Sequence, residues 1–193
     1  MKKNLTHTIF GLGTAALDFR IQTADMGDGY TEKLLARTVD ALPGGAAANC
    51  LAQISRLGGK TCWLGKLGKD WIGLRITEQL ANDGIDIAGI IVDETACSPF
   101  NVAVYAGSQR RRVGGWLLPN SLSDIHDEDV EAWTERVAED DWLVVEIGEI
   151  PLDVVLNVCE AFSACGVRVA VDVDLDPMVQ CSGARNTIEA IFK

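Results

Sequence analysis

Two nearly continuous apolar runs in the C-terminal third, Trp142-Leu143-Val144-Val145 and Val167-Arg168-Val169-Ala170-Val171, constrain the fold more than any other feature of the chain. A strand that is apolar at consecutive positions must be covered on both faces, as a parallel strand between two layers of helices is. The flanking segments Glu128–Ala138 and Leu152–Cys165 read as helices, so from Asp127 onward the order is helix, strand, helix, strand. That alternation predicts a Rossmann-like, doubly wound α/β/α sheet. Ser182–Lys193 reads as a further helix at its edge.

The N-terminal half is more varied. Residues 8–12 form an expected strand. Leu17–Thr23 and Leu35–Leu42 are short and mixed, as in an antiparallel ribbon, with Asp25-Met26-Gly27-Asp28-Gly29 supplying turn chemistry between them. Ala46–Leu57 carries a helical stripe of Ala47, Cys50, Leu51, Ile54 and Leu57, ended by Gly58-Gly59. A strand over Thr61–Leu67 and a helix over Trp71–Asn82 follow. Ile90–Val92, Phe100–Ala106 and Arg112–Leu118 then alternate apolar with polar or small residues, which predicts a hairpin turning at Ala106-Gly107-Ser108-Gln109. The expected organisation is one α/β domain over residues 1–193, short of its C-terminal end, with a small antiparallel β lid projecting from about 17–42 and 97–118.

Composition narrows the function classes. A net charge of -11 argues against a nonspecific polyanion binder, since phosphate backbones are held by clustered Lys and Arg. The short Arg110-Arg111-Arg112 run sits at the expected hairpin turn, where charges blunt a ribbon edge; an anionic substrate is the alternative contact. Cys50, Cys62, Cys97, Cys159, Cys165 and Cys181 lie in or beside apolar segments without a Cys-x-x-Cys pair, and His7 and His126 are the only imidazoles. Reduced thiols in a cytoplasmic protein are expected, not a zinc site. Lys2-Lys3 is not followed by a sustained apolar core or cleavage site, and no run is long enough to span a bilayer.

Three places invite chemistry. Gly11-Leu12-Gly13 follows the first strand and could admit a pyrophosphate, but Ala16 stands where the third glycine of a dinucleotide fingerprint belongs. Asp18 comes next and is either a turn carboxylate or an acceptor for vicinal hydroxyls. Pro43-Gly44-Gly45-Ala46-Ala47-Ala48-Asn49 places two glycines at a helix mouth and one amide a turn later, on the same face as the loop.

In order along the chain, the Gly-x-Gly strand with its downstream Asp18, the Gly44-Gly45-x-x-x-Asn49 helix mouth, the Leu57-Gly58 pair before a hydrophobic strand, and Gly68-x-Asp70-x-x-Gly73 opening the next helix resemble the N-terminal part of a ribokinase-like (PfkB-type) carbohydrate kinase. The resemblance runs from Gly11 to about Val173. It implies ATP-dependent phosphorylation of a sugar or nucleoside-like hydroxyl, with Mg2+ as the nucleotide's ion. It also implies substrate contacts from Asp18, the Gly44 and Gly45 backbone and Asn49, with Phe100 covering the substrate from the lid. Three alanines precede Asn49 where the family has small or basic residues, which leaves the pocket floor apolar. The family's glycine-rich anion hole and catalytic aspartate have no counterpart before Lys193, so 193 residues alone are expected to be inactive and the base is expected beyond Lys193. Asp172, Asp174 and Asp176 end the last strand, where related sugar kinases resemble Asp-x-Asn-x-Arg; solvated charges or a magnesium site are the two readings. A homodimer through the lid is one way to cover an apolar ribbon. A noncatalytic sugar-binding module is the alternative function, and a nucleotide-dependent oxidoreductase a third.

Overall fold

The computed structural model describes residues 7–24, 35–106, 111–117, 121–173 and 184–192. Its main sheet has five parallel strands in the order β5-β4-β1-β8-β9, with β1 (Thr8–Leu12) at the centre between β4 (Lys60–Gly68) and β8 (Trp142–Ile147). The edges are β5 (Ile90–Asp93) and β9 (Arg168–Val173). Helices α1 (Ala46–Arg56), α2 (Trp71–Asn82), α3 (Asp127–Thr134), α4 (Leu152–Ala164) and α5 (Ala184–Ile191) complete the α/β layering. Of the two apolar runs, Leu143 and Val145 are in the core with Leu12, Trp63, Leu64 and Phe162, all buried, whereas Val169, Ala170 and Val171 on edge strand β9 are only half-buried. The central strands can be apolar on consecutive residues because helices leave no face to water.

Capping fixes the helix ends. The Asp70 side chain accepts from Gly73 N–H at the start of α2, leaving a helix whose bounds match the sequence expectation. At the end of α1, Gly59 N–H reaches back to Ile54 carbonyl and Gly58 N–H to Ser55 carbonyl, with Gly58 at φ 92°. This closure ends the helix at Arg56 and turns Leu57 outward, 85% exposed, instead of onto the buried stripe. The helix expected over Glu128–Ala138 stops at Thr134, because Asp141 captures Ala138 N–H with one carboxylate oxygen and Thr8 N–H with the other.

A second sheet stands apart from the first, with strand order β3-β2-β6-β7: β2 (Ala16–Thr23), β3 (Ala36–Gly44), β6 (Phe100–Ala106) and β7 (Arg111–Leu117). The two hairpins are antiparallel as expected, but their junction is not: β2 pairs parallel with β6. Both strands set out from the same base, where Leu17 N–H donates to Pro99 carbonyl at 3.2 Å, so they must run outward together. Ile90–Val92, expected with these strands, belongs to the main sheet. After α2, Asp86 bridges to the start of β4 through Trp63 N–H and Thr61 carbonyl, and the chain then runs parallel to β4 as a right-handed βαβ unit requires. The turns expected at 25–29 and 107–109 lie outside the described residues, as do Arg110, Asp174, Asp176 and Cys181.

Candidate functional site

The C-terminal ends of β1, β4 and β8, the base of the small sheet and the start of α1 converge, and the glycines there are positions where another group takes the place of a side chain. A Cβ at Gly11 would lie 2.7 Å from Leu51 Cδ1, and one at Gly13 would lie 2.6 Å from both Cβ and Oε2 of Glu146. The space beside the first strand is therefore filled by a core leucine and a carboxylate of the same chain. Dinucleotide-binding glycines serve the opposite purpose, since they keep such space open for a pyrophosphate.

Glu146 was not singled out by the sequence. It sits on β8, is 3% exposed, and gathers Thr14 N–H (2.7 Å to Oε2), the Thr14 hydroxyl (3.2 Å to Oε1) and Ala47 N–H (3.3 Å to Oε2). No local signal could reveal it: the partners lie 132 and 99 residues away. The positive end of α1 is engaged by this carboxylate, and Thr14 carbonyl accepts from Ala48 N–H beside it.

Asp18 is placed by β2. Its carboxylate lies against Gly44, where a Cβ would come within 2.6 Å of Oδ2. The Asn101 amide donates to Asp18 Oδ1 at 3.5 Å, and the Arg20 guanidinium is 3.9 Å from Oδ2. Asp18 and Asn101 are register partners on one face of the small sheet. Asn101 is the second residue the sequence did not flag, and its buried Oδ1 has no hydrogen-bond partner among the described residues.

Gly45 has φ 100° and packs so closely that a Cβ would meet Thr14 carbonyl oxygen at 2.2 Å. Asn49, one turn into α1, borders a cavity of about 130 Å³ between α1 and α2, together with Gly44, Gln53, Arg56, Arg75 and Gln79. Gly44 thus touches Asp18 on one side and opens on the Asn49 cavity on the other; Asp18 itself does not line that cavity.

Phe100 is not brought to Asp18. Side chains alternate along a strand, and Phe100 pairs with Leu17 while Asn101 pairs with Asp18, so Phe100 faces the opposite side of the sheet. There it meets Phe19 edge-on at 5.9 Å, and Phe19 in turn meets Trp71 of α2 at 6.1 Å. This aromatic seam fastens the small sheet to the main domain.

Cys62 and Cys159 are packing groups, whereas Cys97 and Cys165 are exposed. Burial, aided by Asp86, pushes Cys62 up to about 11, and burial with Glu160 pushes Cys159 to about 11. Burial and then Asp172 raise Cys50 as well. Among the described residues no group of three or more His, Cys, Asp and Glu side chains is arranged to hold a metal ion; Asp172 is exposed at the end of β9.

A family profile described as "pfkB family carbohydrate kinase" matches residues 7–191, nearly the whole chain. The chain belongs to the PfkB family of carbohydrate kinases. Fructokinase-1 of Zea mays is 43% identical over 54 residues, 28% of this chain and 17% of that protein. Ribokinase of Arabidopsis thaliana is 29% identical over 149 residues, 74% of this chain and 38% of the plant protein. The solved Arabidopsis thaliana ribokinase complexed with ribose and ATP superposes with a TM-score of 0.72 at 22% identity, over 88% of this chain and 54% of that one. The solved ribokinase shares the fold, and the chain spans about half the length of that protein and less than two fifths of the two curated relatives.

Proposed function

We propose that this chain forms the sugar-binding half of an ATP-dependent carbohydrate kinase, and that the sugar lies against Asp18 and the Gly44-Gly45 backbone. The observation that carries the reading is the state of Asp18. It is a half-buried carboxylate, and its contacts to Asn101 and Arg20, at 3.5 and 3.9 Å, are both long. Normal hydrogen bonds to oxygen are nearer about 2.7–2.9 Å, so its lone pairs retain room for two hydroxyl donors. Gly44 leaves the main chain bare beside it, and Asn49 offers a donor and an acceptor from the adjoining cavity.

In this reading the small sheet is a lid of a single domain, hinged at Pro99 and Gly44, that excludes water from the phosphoryl acceptor. ATP is the phosphoryl donor, as the family relationship suggests, and the deprotonating base is not supplied by the residues that hold the sugar. Mg2+ would come with the phosphates of the nucleotide, since among the described residues no group of three or more His, Cys, Asp and Glu side chains is arranged to hold it. Val39 and Leu42, 61% and 40% exposed on the two faces of edge strand β3, make that edge the surface for a homodimer. A cytoplasmic location accords with the raised, unpaired thiols.

The test is calorimetric titration of D-fructose and D-ribose into the 193-residue chain. Saturable one-site binding of either sugar is expected. Failure of both to bind, by heat or by amide chemical shift, would overturn the assignment.

A further inference from the structure

We propose that Glu146 is a positioning residue for the sugar site: a buried carboxylate that locks the start of α1 to the end of β1 and so fixes where the Gly44-Gly45 backbone and Asn49 stand. The inference rests on the sugar-site reading above and adds to it a residue that touches no substrate.

Three features of the structure converge on this role. First, Glu146 joins two segments that the chain itself does not join at this point. Thr14 ends the turn after β1, Ala47 begins α1, and one carboxylate oxygen, Oε2, accepts from the N–H groups of both at 2.7 and 3.3 Å. The second oxygen accepts the Thr14 hydroxyl at 3.2 Å. Second, the surroundings are shaped for it: Gly13 has no side chain where the Glu146 carboxylate passes, and Ala47 presents only a methyl, 2.9 Å from where a Gly13 Cβ would stand. Third, α1 has neither a side-chain cap of its own nor an acidic residue in its first turn. An orphan N–H and the positive helix end are compensated here by a residue of β8.

The mechanical consequence follows from connectivity. Ala47 lies two residues after Gly45 and two before Asn49. Thr14, the other end of the clamp, also accepts Ala48 N–H through its carbonyl, and that carbonyl oxygen stands 2.2 Å from where a Cβ on Gly45 would be. Loosening Glu146 therefore moves the paired glycines and Asn49 relative to Asp18, which reaches Gly44 from β2. Hydroxyl recognition is sensitive to such displacement, since a hydrogen bond weakens steeply once its distance and angle leave a narrow optimum.

The experiment uses Glu146→Gln and Glu146→Asp in the 193-residue chain. The glutamine keeps the shape but presents an NH2 group where one of the donors now points. The aspartate keeps the charge on a shorter arm. Three readouts are taken on each: the urea midpoint, the amide resonances of Thr14 and Ala47, and calorimetric affinity for D-fructose and D-ribose. Glu146→Gln is expected to move both amide resonances upfield and to weaken sugar binding about tenfold or more while the chain stays folded. Glu146→Asp should recover part of that affinity. Sugar affinity unchanged in folded Glu146→Gln, with the unsubstituted chain binding normally, overturns the positioning role and leaves the sugar site standing. Absence of binding by the unsubstituted chain removes the sugar site and this inference with it. Should Glu146→Gln not fold, the unsubstituted chain decides: titration with the sugar must shift the Thr14 and Ala47 amides, and silence at both overturns the proposal.

Discussion

Gly45→Ala isolates the tightest backbone contact in the site, and Gly58→Ala provides its internal control. Both glycines have positive φ, 100° and 92°. They differ in what surrounds them: a Cβ at Gly45 would sit 2.2 Å from Thr14 carbonyl oxygen, 2.6 Å from its carbon and 2.8 Å from Ala15 Cα, whereas one at Gly58 meets nothing within 4 Å. The control should therefore cost only the conformational strain, about 1 kcal/mol. At Gly45, where ψ of 135° also lies outside the left-handed helical well, strain of at least that size is joined by overlap with main-chain atoms that no rotamer change can relieve, about 1–3 kcal/mol more for forced repacking. The expected total is about 2–4 kcal/mol, a large part of the roughly 5–15 kcal/mol that holds a domain folded. Urea denaturation of the two variants, read by the change in midpoint at constant slope, measures the difference. Equal losses at the two positions would refute the reasoning, because they would mean that α1 can move away from Thr14 at no cost.

Other consequences are as direct. Lys66 and Asp129 form an ion pair at 2.8 Å with side chains only 5% and 14% exposed, so Asp129→Ala should destabilise by about 3–5 kcal/mol in urea, leaving a buried ammonium without its carboxylate; a loss under about 1 kcal/mol would contradict the pair's importance. For Asp70, burial opposes the charged form, but the hydrogen bonds from Gly73 N–H and from Ser98 outweigh it and hold the carboxyl below its ordinary range. A carboxyl depressed in the folded state adds stability above its unfolded value, about pH 4, and that stability is lost as the pH falls through the folded value. Asp70→Asn should accordingly flatten the acid limb of the stability profile, and an unchanged limb would count against it. Exposed Cys97 and Cys165 should react with a thiol reagent at pH 8 long before Cys62 and Cys159, whose thiolates form only near pH 11; mass mapping of early adducts on either buried thiol would argue that the core opens.

Which parts of this molecule the sequence discloses follows from the range of the forces involved. The bounds of α2 and β8 are legible because an N-cap three residues from its donor and a run of apolar residues are local facts. The approach of the Asp18 carboxylate to Gly44 has no local signal, since nothing in a dipeptide says that β2 and β3 will lie side by side there. The parallel β2–β6 junction and the side of the sheet taken by Phe100 are not legible. Alternation gives a strand its two faces, but the partner and its register decide which face meets which, and a shift of one residue exchanges Phe100 with Asn101. Glu146 is the extreme case, for an acidic residue near the end of an apolar strand has no local reason to be there, and its donors are supplied by the fold.

The central claim is that Asp18 holds the hydroxyls of a sugar, and its most direct test is calorimetric titration of D-fructose and D-ribose into the unsubstituted chain and into Asp18→Ala, with the urea midpoint of each measured alongside. Among the described residues the polar contacts of Asp18, to Asn101 and Arg20, are both long, so its removal should leave the midpoint nearly unchanged. Sugar binding should weaken by about 1.5–3 kcal/mol, the range for a charge-assisted hydrogen bond. Unaltered sugar affinity, or a loss matched by an equal fall in stability, would contradict the account and return Asp18 to the role of a structural carboxylate beneath Gly44.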